Sequence, residues 1–284
     1  MEWLDRMNDA LDYLEAQLEG EIDFLQMAKR SASSLFHFQR MFTYIAGIPL
    51  GEYIRRRRMT LAAMDLASGR EKVLEVALKY GYDSPTAFNR AFQSVHGIPP
   101  SMARAAGAKL TAFPRITFTL SVKGEKAMDY RIEKRESFRI VGLKTKLPTD
   151  VEQSFQQVPV FWQQSAPRVP ALLPLMDGEP TGVMGVSTCM SGEDVDYYIA
   201  VTSSKAAPEG MAEYQVPAAT WAIFDCVGAM PEAIQTLQKR IITEWLPSSG
   251  YEYANAPDIE VYYAGDQYSP DYHCEVWLPI TQKQ

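Results

Sequence analysis

Two stretches of the chain carry apolar residues at helical spacing, and the two stretches repeat each other at an offset of 50 residues. Each predicts a short helix, a turn, a second helix and a Gly-Ile-Pro stop, because glycine favours the left-handed residue after a helix and proline cannot continue one. Such a pair is typical of two helix-turn-helix modules. The positions that recur 50 residues later are Ser34, Phe38, Arg40, Phe42, Gly47, Ile48 and Pro49.

The second helix of each unit separates an apolar face from a polar one. The apolar positions are Leu35, Phe38, Met41, Phe42 and Ile45 in the first unit, and Phe88, Ala91, Phe92 and Val95 in the second. The opposite faces hold side chains of the kinds that read base edges or bind phosphates. These outward positions are Phe36, Arg40 and Thr43, flanked by His37, Gln39 and Tyr44, in the first unit, and Thr86, Asn89, Arg90 and Gln93 in the second. Phe36 either contacts a thymine methyl group or packs against another helix.

A predicted helix of about 18 residues, PLGEYIRRRRMTLAAMDLAS, joins the two units. Its length is about 27 Å, which is on the scale of one turn of DNA at about 34 Å. We therefore expect it to place two recognition helices in successive major grooves. The run Arg55–Arg58 covers the whole circumference of this helix, so at least one arginine points inward. The others either contact phosphates or form a solvated face.

Beyond Gly107 the apolar pattern changes to a period of two. Alternation from Ile116 to Val122, followed by KGEK and a second β-rich run, predicts a hairpin. A second repeat, at an offset near 83 residues, predicts strand, helix, strand and strand twice, with helices at about 150–165 and 230–246. The fold predicted is an all-α double helix-turn-helix domain at 1–107, followed by an α+β domain of duplicated strand-helix-strand-strand units at 108–284.

The net charge of −7 on 284 residues conceals a division along the chain. Residues 26–115 hold 14 Lys and Arg against 5 Asp and Glu, whereas residues 116–284 hold 13 against 22. The first part therefore suits a nucleic-acid partner although the whole chain is acidic. The cysteines Cys189, Cys226 and Cys274 form no C-x-x-C pair, which predicts free thiols and no metal site. An acidic start and short apolar runs predict a cytoplasmic protein with no membrane partner.

The segment 22–104 resembles the DNA-binding domain of the AraC/XylS family of bacterial transcription regulators. The resemblance rests on SSLFHFQRMF and, most specifically, on ALKYGYDSPTAFNRAFQSVHGIPPSMAR. It implies a seven-helix architecture with two recognition helices. It also places base or backbone contacts at Phe36, Gln39 and Arg40, and at Thr86, Ala87 and Arg90.

The second half resembles the GyrI-like effector-binding domain of multidrug-responsive regulators, on MDYRIEKRESFRIVGLKT and DYHCEVWLPI. The resemblance places Glu275 at a pocket carboxylate. From the residues alone, a solvated Glu on an exposed strand face is the alternative. A carboxylate among aromatic rings attracts a lipophilic cation by charge pairing and cation–π contact. The predicted walls are Trp277, Tyr198, Trp221, Phe224, Trp245 and Tyr263.

These features predict a transcription regulator that binds double-stranded DNA and a small-molecule effector, with RNA polymerase as a further partner and no cofactor. One alternative makes the second domain a ligand-free scaffold or protein-interaction module, and another gives it hydrolase activity. The histidines His37, His96 and His273 are scattered, so no catalytic residue is predicted. For His96, near a helix end, we expect a solvated structural role.

Overall fold

The computed structural model describes residues 3–119, 127–148, 151–188 and 195–283, without the side chains of Val151, Glu152 and Phe155. The chain divides into two compact units between Thr119 and Leu120. The first unit is helical. Its helices are α1 (Trp3–Ala16), α2 (Phe24–Arg30), α3 (Leu35–Ala46), α4 (Leu50–Ser68), α5 (Val73–Lys79) and α6 (Pro85–His96), followed by a 3₁₀ turn at Pro100–Arg104.

The two predicted recognition helices, α3 and α6, have matching ends. Ser34 and Ser84 each accept a backbone N–H bond from the first turn, at 3.2 and 3.3 Å. Such caps satisfy donors that have no partner inside the helix. Gly47 and Gly97 follow the helices with φ angles of 70° and 72°. The predicted glycine stops are therefore confirmed in both copies of the repeat.

The core of the first unit forms around the linking helix α4. Phe88 and Phe92 of α6 pack with Met59, Leu66 and Tyr80 in one buried cluster. In α3, the predicted core positions Phe38, Met41 and Phe42 are also buried. Burial of each such side chain contributes about 1.5–3 kcal/mol, so these clusters stabilise the positions of both recognition helices.

The four arginines Arg55–Arg58 of α4 divide into two that pair within their own helix and two that contact other parts of the helical unit. Arg55 and Arg56 pair with Glu52 on their own helix, and their side chains are 41% and 32% exposed. Arg57 pairs with Glu15 of α1 and is 11% exposed, while Arg58 donates to the backbone carbonyl of Leu18. The expectation that part of the run points inward is confirmed, because Arg57 and Arg58 connect α4 to the end of α1 and the residues after it.

The segment 108–119 is an extended strap on the first unit. The hairpin predicted from residue 116 is absent from 116–119, and the rest of that prediction, 120–126, lies outside the described residues. The strap donates backbone N–H groups to side chains of the helical unit, which explains why the division falls at Thr119 rather than after residue 107. The bonds run from Thr111 to His96 Nδ1 (3.1 Å), Phe113 to Thr60 (3.0 Å), Ile116 to Tyr53 (3.1 Å) and Phe118 to Asn8 (2.9 Å).

His96 joins α6, α4 and the strap. Its Nδ1 accepts from Thr111, so the neutral ring carries its proton on Nε2, which lies 3.0 Å from the carbonyl oxygen of Met59. Burial lowers the pKa of His96, against a smaller opposite effect of the Met59 bond. The expected solvated role is wrong, because the strap covers this helix end.

The second unit contains one antiparallel sheet, with helices packed on one face. The strands are β1 (Tyr130–Arg135), β2 (Phe138–Leu147), β3 (Val183–Thr188), β4 (Val195–Thr202), β5 (Ala212–Val216), β6 (Ala219–Val227), β7 (Tyr251–Tyr253), β8 (Asp258–Tyr262) and β9 (His273–Gln282). The helices are α7 (Val151–Ser165) and α8 (Glu232–Arg240), and α8 continues through a π-helical turn at Ile241–Trp245 into α9 (Leu246–Ser248). Short 3₁₀ turns follow α7 at Val169–Ala171 and Leu173–Leu175.

The strand order shows the internal duplication. Within the described residues it is β1-β6-β9-β8-β3-β4-β2-β5, with β7 beside β9. Strands that are equivalent in the repeat lie at equal distances from the centre of the sheet. The equivalent pairs are β1 and β5, β6 and β2, β9 and β4, and β8 and β3. The two halves are thus related by a pseudo-two-fold axis between β3 and β8. The predicted duplication is confirmed, with the addition of β1 and β5, each of which pairs with the long strand of the other half.

Alternating side chains give the sheet two different faces. On the helical face, Trp162 of α7 donates to the hydroxyl of Tyr197 at 2.9 Å, and Gln238 of α8 bonds Glu260. The opposite face holds a buried apolar cluster. Its members are Ile140, Met184, Val186, Tyr198, Ala200, Val216, Trp221, Ile223, Ile259, Val261 and Trp277.

Candidate functional site

Helix α6 presents the predicted reading side chains of the second module to solvent. Thr86, Ala87 and Arg90 are exposed, and Asn89 is half-buried. Pro85 at the first position of α6 presets the helical backbone angle, and Ser84 caps the helix. The short side chains of Thr86 and Ala87 leave the start of the helix open, so a groove of DNA can approach its backbone closely.

Helix α3 differs from α6 in how its predicted reading residues are placed. Gln39 and Arg40 are half-buried, and the guanidinium of Arg40 lies 5.7 Å from the centre of the Tyr44 ring. Phe36 and His37 are buried, at 8% and 2% exposure. The expectation that both face outward is therefore corrected. His37 shares the core face because it precedes the buried Met41 by one helical turn, and the Phe36 ring contacts His37 edge-on.

Glu275 lies at the centre of the candidate effector site, on the sheet face opposite α7 and α8. It is 7% exposed, which excludes the alternative of a solvated glutamate. Its Oε2 accepts the indole N–H of Trp277 at 2.7 Å. Tyr263 lies close to the same carboxylate; burial first, and then the charge of Glu275, raise the pKa of Tyr263, so its hydroxyl stays protonated. The carboxylate is thus held by the indole of Trp277, with the phenol of Tyr263 nearby.

Two arginines of β1 complete the surroundings of Glu275. Strand pairing places Arg131, Glu133 and Arg135 on the same face as Glu275. Arg131 lies 2.8 Å from Glu275 Oε1, and the guanidinium of Arg135 lies 4.7 Å from the centre of the Trp277 ring. Glu133 bonds both arginines, and the Arg131 bond in particular lowers the pKa of Glu133. Sequence reasoning missed this trio, although R-I-E-K-R shows it at the period of a strand.

The aromatic wall predicted around Glu275 is divided between the two faces. Tyr198 and Trp221 belong to the same face as Glu275, and Trp221 and Trp277 have ring centres 6.1 Å apart. Phe224 and Trp245 pack edge-to-face on the helical side at 4.9 Å. The expectation of a single wall is corrected for these two residues. The reason is strand alternation, since Phe224 is paired with Val276 rather than with Glu275.

A cavity of about 660 Å³ lies beside α8 and the end of β6. Most of its charged lining is acidic: Asp129, Asp225, Glu232 and Glu244, with Arg240. Glu275 does not line it, so this cavity differs from the site predicted around Glu275.

The cysteines and the charged side chains form no metal centre in the described parts of the chain. No three His, Cys, Asp or Glu side chains converge there as metal ligands. Cys226 and Cys274 are buried free thiols on paired strands, whereas Cys189 lies outside the described residues. No described helix is long and apolar enough to cross a membrane.

Comparison with known proteins separates the chain into the same two parts. Residues 27–106 match the family described as "Helix-turn-helix domain", and residues 131–280 match "Integron-associated effector binding protein", the Cass2 family. The activator AarP of Providencia stuartii is 39% identical over 98 residues, which are 34% of this chain and 73% of AarP. The multiple antibiotic resistance protein MarA of Escherichia coli is 36% identical over 98 residues, 34% of this chain and 77% of MarA.

Among solved structures, SAV2435 bound to tetraphenylphosphonium is similar over 54% of this chain and 94% of its own, with 24% identity and a TM-score of 0.50. This likeness supports the fold of the region it covers.

Proposed function

Because the chain belongs to the AraC-type transcription regulators that carry a Cass2, GyrI-like effector-binding domain, we propose that a lipophilic organic cation controls its action on DNA. The helical unit binds DNA, and the sheet unit is the effector-binding domain. The observation that carries the proposal is the buried carboxylate of Glu275, which accepts a hydrogen bond from Trp277 and lies close to Tyr263.

Helices α3 and α6 are the proposed readers of two successive major grooves. Arg40 and Arg90 occupy equivalent positions of the two modules, 50 residues apart. Arginine can bind a guanine edge in two places or bind a phosphate. We assign base or phosphate contacts to Gln39, Arg40, Thr86, Asn89 and Arg90, with the backbone at Ala87 close to DNA. Phe36 and His37 support α3 from inside.

The chemistry of the Glu275 site suits a cation with a diffuse charge and a large apolar surface. A carboxylate with most of its water removed gains more from pairing with a weakly hydrated cation, and adjacent indole rings add cation–π attraction of about 0.5–2 kcal/mol. Trp221, Trp277, Tyr198 and Tyr263 supply the aromatic surface on the same sheet face. Tetraphenylphosphonium, the ligand of SAV2435, has both properties and is the probe of choice.

The test is a calorimetric titration of the full chain with tetraphenylphosphonium, compared between the wild type and Glu275→Gln. Removing one charge of a buried pair weakens binding by about 2 kcal/mol or more, which is roughly thirtyfold. Glu136→Gln, which removes an exposed carboxylate between β1 and β2, is the matched control and should bind as the wild type does. Equal affinity in the wild type and Glu275→Gln would refute the assignment.

The second unit, in this proposal, binds its effector without transforming it, and the protein acts in the cytoplasm through contact with RNA polymerase. Contact with RNA polymerase is supported by the similarity to AarP, which is described as a transcriptional activator. If a broad panel of lipophilic cations leaves the unfolding temperature of the full chain unchanged, the domain is instead a scaffold or a protein-interaction module.

A further inference from the structure

The groups that would bind an external cation at the Glu275 site are already in contact with two arginine side chains of the protein itself. Arg131 forms an ion pair with Glu275 at 2.8 Å, and Arg135 lies over the Trp277 ring at 4.7 Å. These are the same two contacts, a charge pair and a cation–π contact, that a lipophilic cation would make in the site proposed above. The apolar ring of Trp277 is only 1% exposed, so a ligand cannot reach it while its present neighbours stay in place.

The internal duplication shows that the sheet does not need arginines at these positions. At the repeat offset of 83 residues, Arg131 of β1 corresponds to Tyr214 of β5, and Arg135 corresponds to Ala218, which follows β5. Glu133, between the two arginines, corresponds to Val216, and the Tyr214 ring packs beside Tyr198 at 5.6 Å. The equivalent positions therefore hold uncharged residues in one half and a charged trio in the other, which points to a role of the trio outside folding.

The two partners of the ion pair differ in how firmly they are held. Glu275 is held by the hydrogen bond from Trp277, and its side chain is 9% exposed. The Arg131 side chain is 41% exposed, and it has further acceptors in Glu133 at 2.7 Å and Asp225 at 3.5 Å. Arg131 can therefore leave Glu275 without becoming an unpaired buried charge, whereas Glu275 cannot move to solvent. The acceptor is pre-organised, and the cation is exchangeable.

We propose that Arg131 and Arg135 form an internal cation that occupies the Glu275 site, so that an effector binds only by displacing both guanidinium groups. The inference rests on the proposed function of that site. An effector must then bind Glu275 better than a guanidinium does, which selects cations that are poorly hydrated and carry aromatic or apolar groups. Ammonium gains nothing by the exchange because it is strongly hydrated, and free guanidinium gains nothing because it offers the same group that Arg131 already supplies.

Arg131 and Arg135 also set the affinity of the Glu275 site for an external cation. When the competent state is only a fraction of the population, the apparent dissociation constant is the intrinsic one divided by that fraction. Removing Arg131 should therefore tighten the binding of an external cation, contrary to the usual effect of deleting a binding-site residue. The direction of this change in affinity distinguishes an internal competitor from a residue that contacts the ligand favourably.

The test is calorimetric titration of the full chain with tetraphenylphosphonium at constant ionic strength. We expect Arg131→Ala to bind on the order of tenfold more tightly than the wild type, which corresponds to about 1.4 kcal/mol. Lys134→Ala is the matched control, since it removes the same charge from the same strand at an exposed position on the opposite face. It should bind as the wild type does. Equal or weaker binding by Arg131→Ala overturns the inference.

Arg131→Gln carries the test if Arg131→Ala does not fold, because glutamine can still donate a hydrogen bond to Glu275 without competing as a cation; it should also bind more tightly. The affinity of Glu275→Gln separates the two proposals. If Glu275→Gln loses binding while Arg131 variants match the wild type, the internal cation is refuted and the cation site stands. If Glu275→Gln binds as the wild type does, the site itself is refuted, and the inference with it.

Discussion

Replacing Arg57 by methionine tests whether the arginine run of α4 supports the fold or binds DNA at this position. Arg57 Nε and Nη2 donate to the two carboxylate oxygens of Glu15 at 2.9 and 2.8 Å, and Nη1 donates to the carbonyl of Phe113 at 2.7 Å. The two side chains of the pair are only 11% and 9% exposed. The pair thus joins α1, α4 and the strap.

The expected cost follows from leaving Glu15 without its cation. Removing one partner of a buried ion pair destabilises a protein by about 3–5 kcal/mol, a large part of a typical domain stability of about 5–15 kcal/mol. In Arg57→Met, Glu15 keeps only the hydroxyl of Tyr53, at 2.6 Å, among the bonds described for it. The double variant with Glu15→Gln should recover part of the loss, since no buried charge is then left unpaired.

The assay is urea denaturation of the full chain, followed by the circular dichroism of its helices. Arg56→Met is the matched control: Arg56 pairs with Glu52 on the same helix at 32% exposure, so its loss should cost less than about 1 kcal/mol. If Arg57→Met costs as little as Arg56→Met and instead reduces the salt dependence of DNA binding, the structural role of Arg57 is wrong.

Three further predictions concern the helical unit. Arg90→Ala should lower the slope of log affinity for DNA against log salt by about one, whereas Lys134→Ala should leave it unchanged. The pKa of His96 is lowered in the folded protein, so the unfolded chain binds the proton at a higher pH than the folded chain does. The contribution of His96 to the free energy of unfolding should therefore be complete above the ordinary pKa of 6.5 and should decrease as the pH falls from there through the lowered pKa. The free energy of unfolding of His96→Gln, measured by urea denaturation, should lack this pH-dependent contribution. Gly97→Ala should cost about 1–2 kcal/mol at its φ of 72°, while Gly51→Ala, inside α4 with open space around it, should stabilise by up to about 1 kcal/mol.

Local signals made the helical unit and the duplication predictable. A glycine after a helix, a serine before it and an apolar period of 3.6 residues each act within a few positions, and the repeat showed them twice. The structure confirms Gly47 and Gly97 as the residues that end the two helices, and it adds Ser34 and Ser84 as the caps that begin them. The strand-helix-strand-strand repeat was visible for the same reason.

The candidate site was only partly predictable because its contacts join distant parts of the chain. Alternation along β9 separates Glu275 from Val276, but it does not show which face of β6 adjoins each of them, and Phe224 was therefore assigned to the wrong face. The Arg131–Glu275 pair spans strands that are not neighbours in the sheet, since β6 lies between them. Burial of Phe36 likewise depends on tertiary packing, which a helical wheel does not contain.

The proposed function couples DNA binding by one unit of the chain to cation binding at Glu275 in the other. Its most direct test is the transcript yield from a template carrying a DNA site selected by the full chain, measured with purified RNA polymerase with and without tetraphenylphosphonium. We expect the yield to change about fivefold or more for the wild type, which is the lower range of typical coupling between sites, and not to change for Glu275→Gln. A yield from the wild type that is the same with and without saturating cation would contradict it.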